Sequence, residues 1–157
     1  MIRVENLNVT FNEGTPLENP VLRGLSLTIP EGQFVTVIGS NGAGKSTLLN
    51  VVSGEVGVQK GQVYLGDQEI THWPVHQRAP HVARVFQDPL TGTCESLSIE
   101  ENLALAQART KTRTLSRAAK KAFRSRFITK LRTLQLGLEN RLTDKIGLLS
   151  GGQRQAV

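Results

Sequence analysis

The sequence has a single cysteine, Cys94, among its 157 residues. An intrachain disulfide is therefore excluded, and a zinc site built from cysteines is not expected. No apolar run approaches the roughly 18–20 residues that a membrane-spanning helix needs. The first residues include Glu5 and form no apolar core of a signal peptide. These absences predict a protein of the reducing cytoplasm.

Charge is unevenly distributed along the chain, which carries 19 Lys and Arg against 13 Asp and Glu for a net charge of +6. Ten of the basic residues lie between positions 109 and 132, where there is no acid, and the remainder of the chain is mildly acidic. We interpret this basic segment first as the solvated face of a helix; contact with anionic lipid or with nucleic acid are the alternatives. Its two phenylalanines, Phe123 and Phe127, fall on the apolar face of that helix, which disfavours stacking on bases.

Alternating apolar and polar residues predict strands over residues 2–11 and 21–29. Residues 34–38 (FVTVI) are apolar on both faces and stand between glycines, which predicts a buried parallel strand. Another short strand is predicted over residues 82–86. In residues 63–67 an apolar alternation ends at Gly-Asp, which predicts a hairpin.

A helix is predicted from about Lys45, with Leu48, Leu49 and Val52 on its buried face and Gly54 at its end.

Capping boxes predict two further helix starts, one at residues 98–101 (SIEE) and one at Ser150 with Gln153. Between them, residues 116–136 have apolar side chains at helical spacing, and Gly137 follows as a stop. The apolar positions of that helix are Ala119, Phe123, Phe127, Leu131 and Leu134.

The octapeptide GSNGAGKS at residues 39–46 fits the pattern G-x-x-x-x-G-K-[ST] between an apolar strand and an amphipathic helix. Glycines let backbone amides converge on phosphate oxygens, and the helix N-terminus adds partial positive charge. Lys45 supplies a full charge to the β- and γ-phosphates, and the Ser46 hydroxyl can bind Mg²⁺. The residues predicted to bind nucleotide here are Gly39, Ser40, Asn41, Gly42, Ala43, Gly44, Lys45 and Ser46.

The segment LSGGQ at residues 149–153 starts the last predicted helix, and alone it would be an ordinary capped helix. About a hundred residues after a P-loop, however, it resembles the signature of the nucleotide-binding subunit of ABC-type ATPases, with Arg154 in the family's usual place. The resemblance implies an α/β fold of the P-loop NTPase class, with an N-terminal antiparallel β subdomain, a parallel core and a helical subdomain. It assigns residues 1–88 to the ATP-binding core, 89–148 to the helical subdomain and 149–157 to the signature and the start of its helix.

The resemblance also implies individual roles and partners. Gln87 matches the Q-loop glutamine, expected to reach Mg²⁺ and the γ-phosphate and to act with Lys45 in catalysis. Phe11 would stack on adenine, and residues 41–47, including Thr47, would wrap the phosphates of ATP. The signature would contact ATP bound by a second subunit of a head-to-tail dimer, while the helical subdomain docks on a transmembrane permease. The signature residues concerned are Ser150, Gly151, Gly152 and Gln153.

Members of this family continue beyond the signature with a strand ending in Asp-Glu, the Walker B element, and later a catalytic histidine; this sequence contains neither. The Asp helps bind Mg²⁺ and the Glu polarises the attacking water, so we expect the chain alone to bind ATP but hydrolyse it poorly. We hypothesise a truncated ABC ATPase that lacks the C-terminal core strands. The missing strand would normally pair beside the P-loop strand, so Val35 and Val37 are expected at an open edge.

The predicted function is to couple ATP binding and hydrolysis to solute transport by the permease, with import favoured. The chain would then lie peripherally on the inner face of the plasma membrane. A soluble ABC-type ATPase associated with nucleic acid or ribosomes, or a catalytically dead nucleotide-binding fragment, is the alternative; nucleic acid is not the expected partner.

Overall fold

A computed structural model describes residues 1–109 and 121–157 of the chain, with residues 121 and 122 described by their backbone alone. The chain forms two compact units, Met1–Ala83 and Arg84–Val157. Each has its own hydrophobic core.

The first unit is built on four strands, β1 (Ile2–Phe11), β2 (Asn19–Ile29), β3 (Lys60–Leu65) and β4 (Gln68–Glu69). They form one antiparallel sheet in the order β2-β1-β3-β4. Its central strand, β1, is irregular: Asn6 has φ 50°, and the pairing register with β3 shifts between Glu5 and Asn8. Gly61 lies opposite this irregularity with φ 97°, and a Cβ added to it would stand 2.5 Å from the carbonyl oxygens of Glu5 and Asn6. Glycine is therefore the residue that fits this crossing of two backbones.

Most strand predictions for this unit are confirmed. β1 has the predicted bounds, and β2 begins two residues earlier than predicted, at Asn19. The predicted hairpin joins β3 to β4, with Leu65 opposite Gln68 across the Gly66-Asp67 turn.

Two predicted strands are wrong. Residues 34–38 and 82–86 have no strand or helix assignment. Phe34 is 95% exposed and Ile38 is 89% exposed, whereas a buried parallel strand would place both in the core. A parallel strand is stable when neighbouring strands bond both its edges and cover both its faces; within the described residues the sheet of this unit includes neither segment. Val35 and Val37 are each more than two-fifths exposed, but the expected open strand edge is not formed, because residues 34–38 form no strand.

Two helices complete the first unit, α1 (Lys45–Ser53) and α2 (Val75–Arg78). α1 buries Leu48 and Val51 against the sheet, where they join a core that includes Val4, Leu7 and Val63.

The predicted buried face of α1 is partly corrected. Val52 packs against the core as predicted, but Leu49 is 57% exposed. The side of α1 that faces the sheet is the one with Leu48 and Val51, and Leu49 lies away from it. The predicted stop is confirmed: Gly54 has the left-handed φ of 85°, and its amide donates to the helix carbonyls.

The second unit is helical, and its core consists of Ile99, Ala104, Phe127, Leu131, Leu138, Leu142, Ile146 and Leu149. Its α-helices are α3 (Ile99–Ala108), α4 (Lys121–Arg132) and α5 (Gly151–Gln155), with 3₁₀ turns at Leu138–Asn140 and Ile146–Leu148. The side chain of Asn102, in the first turn of α3, binds the loop before the helix: it accepts from the Cys94 amide at 2.8 Å and donates to the Cys94 carbonyl at 3.1 Å. No helix within residues 1–109 and 121–157 combines the length and apolar character that a membrane crossing requires.

The helix predicted over residues 116–136 ends four residues earlier than predicted, at Arg132. Its positions 116–120, with Ala119, lie outside the described residues. Phe127 and Leu131 are buried as predicted, but α4 ends at Arg132 and Leu134 is 42% exposed. The reason is local, since Gln135 has φ 55°, which no right-handed helix accommodates. Gly137 also has a positive φ and starts the following 3₁₀ turn rather than ending α4.

Both predicted capping boxes are confirmed. At α3, the Ser98 amide and hydroxyl each donate to the Glu101 carboxylate at 2.8 Å, while the Glu101 amide donates to the Ser98 hydroxyl at 3.3 Å. The bond from the Ser98 backbone amide, followed by that from its hydroxyl, lowers the pKa of Glu101 from its ordinary 4.5.

This box makes stability depend on pH in the acidic range. Because the folded-state pKa of Glu101 lies below that of the unfolded chain, its contribution is complete above about pH 4.5 and is lost as the pH falls through the folded value. We expect Glu101→Gln to flatten this part of the profile in urea unfolding between pH 7 and pH 3. Glu100→Gln leaves the capping box intact, so this variant should keep the loss of stability that the wild type shows at acidic pH. Superimposable profiles for the wild type and Glu101→Gln would contradict the assignment.

Candidate nucleotide-binding site

The P-loop of residues 39–46 is a tight turn that leads directly into α1. Gly42 and Gly44 have φ of 83° and 85°, the left-handed region that glycine occupies without strain. Gly44 also lies against β2: a Cβ there would stand 2.9 Å from the Leu22 side chain and 3.1 Å from that of Val21. The second glycine of the motif therefore sets the distance between the loop and the sheet.

Lys45 is the first residue of α1, and its ammonium turns back onto the loop. It donates to the Gly39 carbonyl at 2.8 Å and to the Ser40 carbonyl at 2.7 Å, while the Ala43 amide donates to the Ser40 carbonyl at 3.2 Å. These bonds close the loop around one cation. An ammonium has three donors, so a phosphate oxygen at the loop can accept from it as well.

The outer surface of the P-loop is open to solvent. Asn41, Gly42, Ala43 and Ser46 are exposed, and a Cβ on Gly42 would meet no atom within 4 Å. The first turn of α1 contains no acid to oppose an anion. The helix dipole, the loop amides and Lys45 thus present positive charge on one accessible surface, an arrangement that favours phosphate groups.

The groups predicted to bind Mg²⁺ suit that ion in their chemistry. Ser46 presents an exposed hydroxyl in the first turn of α1, and Gln87 presents an exposed amide oxygen in a bend of the second unit. Hydroxyl, amide and phosphate oxygens are the hard ligands that Mg²⁺ prefers. Within the ranges that the structure describes, no three His, Cys, Asp or Glu side chains gather into a site for another metal.

Phe11, the predicted adenine-stacking residue, ends β1 and pairs with Asn19 of β2. Phe11 is 39% exposed, so part of the residue is accessible at this end of the strand. Phe11 and the P-loop with Thr47 belong to the first unit, whereas Gln87 and the signature belong to the second.

In the signature, two of the residues predicted to contact nucleotide, Ser150 and Gln153, form the capping box of α5. The Gln153 amide donates to the Ser150 hydroxyl, and the Ser150 amide donates to the Gln153 side chain, both at 3.3 Å. Gly151 and Gly152 are exposed, and a Cβ on either would meet nothing within 4 Å. The signature therefore presents a bare backbone surface at the start of a helix.

The residues that follow the signature bind the segment around Gln87, a link that the sequence does not predict. The Gln155 side chain donates to the Phe86 carbonyl at 3.0 Å, and Arg154 forms an ion pair with Glu95 at 3.0 Å. Both bonds join residues about 60 or 70 positions apart. No local pattern marks such a pair, so a single sequence carries no signal for it.

The fold and the P-loop define a P-loop nucleotide-binding protein. The sequence profile of the family described as "ABC transporter" matches residues 22–157. The chain belongs to this family, with the fold of the ABC ATP-binding cassettes.

Individual relatives agree with this membership. A tyrosine transport ATP-binding protein of Clostridioides difficile is 39% identical over all 157 residues of this chain, which span 62% of that relative. Among solved structures, the ATP-binding cassette MJ0796, a dimer bound to ADP and Pi, has a TM-score of 0.81 and 27% identity over 99% of this chain and 66% of its own. The cbiO1 protein of Clostridium perfringens shares the fold, with a TM-score of 0.75 and 24% identity over 99% of this chain and 57% of its own. The chain thus spans about three-fifths of the length of such relatives.

Proposed function

We propose that the chain binds ATP and Mg²⁺ as part of a subunit that couples ATP binding and hydrolysis to solute transport by a membrane permease, with import favoured. The observation that carries the proposal is the geometry of the P-loop. The Nζ of Lys45, at the start of α1, lies 2.8 Å from the Gly39 carbonyl oxygen and 2.7 Å from that of Ser40. Phosphoryl transfer depends mainly on such positioned charge.

Each part of the site has a proposed task. The loop amides and Lys45 bind the β- and γ-phosphates, with residues 39–47 around them, and Phe11 stacks on the adenine. Ser46 and Gln87 bind the Mg²⁺ that would neutralise phosphate charge in the bound state. Lys45 and Gln87 are the catalytic residues of this chain. Residues 150–153 bind the nucleotide of a partner subunit through the exposed backbone at the start of α5 and through the Ser150 hydroxyl, which accepts from the Gln153 amide and can still donate its own proton.

The proposed partners are a second ATP-binding subunit and a permease. MJ0796 is a dimer in its solved structure, and cbiO1 is part of the transporter complex cbiONQ. By analogy, we propose a head-to-tail dimer on the inner face of the plasma membrane, with residues 89–148 as the helical subdomain that docks on the permease. The name of the C. difficile relative suggests tyrosine or another amino acid as the solute.

The test is ATP-driven uptake by the intact protein together with its membrane partner. The protein is purified from detergent-solubilised membranes, the complex is reconstituted into proteoliposomes, and uptake of radiolabelled tyrosine and other amino acids is measured with and without ATP. We expect uptake that requires ATP and falls at least about tenfold in Ser150→Ala, since removing a charge-assisted contact has this order of effect.

Ser98→Ala is the matched control, because it removes the same kind of helix cap in the same unit without altering the signature. It should lower stability but keep uptake per folded protein. Recovery of the protein without any membrane partner, together with nucleic-acid binding that weakens steeply with salt, would overturn the transport proposal in favour of a soluble ABC-type ATPase.

A further inference from the structure

Arg78, at the end of α2, is a buried cation whose side chain binds only backbone carbonyls in the described part of the chain. It is 3% exposed. Its Nε donates to the Trp73 carbonyl at 2.9 Å, and one terminal nitrogen donates to the Thr71 carbonyl at 2.8 Å. The other terminal nitrogen donates to the carbonyls of Val51 at 2.6 Å and Val52 at 3.1 Å.

Burial of this guanidinium calls for compensation. Desolvation lowers the pKa of Arg78, and an uncompensated buried charge is strongly unfavourable. Here the compensation comes from four carbonyl dipoles, two of which, those of Val51 and Val52, lie in the last turn of α1, where a helix leaves its carbonyls without a full set of intrahelical partners. A cation is favoured at this end of a helix, because the carbonyl end carries partial negative charge.

The surrounding backbone is shaped to accept the guanidinium. Gly54, which ends α1 with φ 85°, would bring an added Cβ to 2.9 Å from the Arg78 Nε and 3.0 Å from its Cδ. The same glycine that stops the helix therefore leaves the space through which Arg78 reaches the last turn. A side chain at position 54 would displace the guanidinium from both helix carbonyls.

Helix α1 connects this contact to the P-loop. The helix begins at Lys45 and ends at Ser53, so its nine residues span about 13 Å. Gly44 fixes the start of the helix against β2, and Arg78 fixes its end. A tilt of about 5° at the Arg78 end would move the other end by about 1 Å, and misplacement on that scale weakens binding and catalysis strongly.

We infer that Arg78 is a positioning residue for the phosphate-binding loop: by binding the last carbonyls of α1 it fixes the direction in which Lys45 and the loop amides face the nucleotide. The inference rests on the proposed binding of ATP at residues 39–47. Arg78 itself lies at the opposite end of α1 from the phosphates, so it acts through the helix and makes no contact with ATP.

The experiment compares ATP affinity at matched losses of stability. The variants are Arg78→Met, which keeps much of the length but removes all donors, and Arg78→Lys, which keeps the charge but not the fork. Val51→Ala is the control, because it loosens the same turn and the same core while leaving the Val51 carbonyl and Arg78 in place. Unfolding is followed by heat, and ATP binding to the intact protein by calorimetry at an equal interval below each variant's Tm.

We expect the Kd for ATP to rise about tenfold in Arg78→Met and by a smaller factor in Arg78→Lys, while Val51→Ala stays within about twofold of the wild type. Amide hydrogen exchange in residues 43–47 should quicken in the Arg78 variants and not in Val51→Ala. Equal ATP affinity of the Arg78 variants and Val51→Ala would overturn the inference. If Arg78→Met does not fold, the comparison of Arg78→Lys with Val51→Ala decides in the same way. Failure of the proposed function is recognised separately, as absent ATP binding in the wild type.

Discussion

Replacing Lys45 with alanine is expected to raise the Kd for ATP about a hundredfold while leaving the first unit folded. Hydrogen bonds to charged groups contribute about 1.5–3 kcal/mol each to binding free energy, and the Lys45 ammonium is the one fully charged group of the loop. The loop carbonyls of Gly39 and Ser40, which would lose their donor, are in exposed residues and can bond to water. Binding and stability should therefore separate in this variant.

Isothermal calorimetry with MgATP and thermal unfolding measure the two quantities. Lys60→Ala is the matched control, since it removes an exposed lysine from β3 of the same unit. It should bind ATP within about twofold of the wild type. An unchanged Kd in Lys45→Ala would refute the assignment of residues 39–46 as a phosphate-binding loop.

Gly61→Ala is expected to destabilise the protein by about 3 kcal/mol or more, the largest effect on folding among these substitutions. The added Cβ would stand 2.5 Å from two carbonyl oxygens of the central strand, those of Glu5 and Asn6. Neither is a flexible side chain, so the β1–β3 pairing itself has to shift. Gly61 also has φ 97°, where an alanine is strained regardless of space.

Gly66→Ala separates these two causes. Gly66 follows β3 with φ 60°, but a Cβ there would meet nothing within 4 Å. It should therefore show only the left-handed penalty, about 1–2 kcal/mol. Urea unfolding of both variants measures the difference, and equal losses of stability would show that the close approach to β1 is not what requires glycine at position 61.

Local chemistry explains what could be predicted of the fold. The box of Ser98 and Glu101 satisfies its own backbone donors within four residues, so it forms wherever that sequence starts a helix. Gly54 at the end of α1 is a signal of the same kind. The P-loop was predictable for this reason too, because its glycines and Lys45 are contiguous and act within one turn.

Pairings between distant segments were not predictable. Residues 34–38 have the composition of a buried strand, but composition does not supply the neighbouring strands that such a segment needs. Leu49 is apolar and lies on a helix, yet which face of α1 is buried depends on the position of the sheet. From the sequence alone, Arg78 would be predicted to lie in a solvated loop. Its four acceptors are backbone carbonyls of α1 and of the segment before α2, and no side-chain pattern marks them.

The single cysteine gives this chain a ready attachment point for a spectroscopic reporter. Cys94 is exposed, so a maleimide dye can react with it, and no second thiol of the sequence competes. Its backbone is bound on both sides by Asn102, at 2.8 and 3.1 Å, so a dye would follow the helical unit rather than the motion of a loose loop. Fluorescence at that site can therefore time the response of the second unit to nucleotide in the unsubstituted sequence.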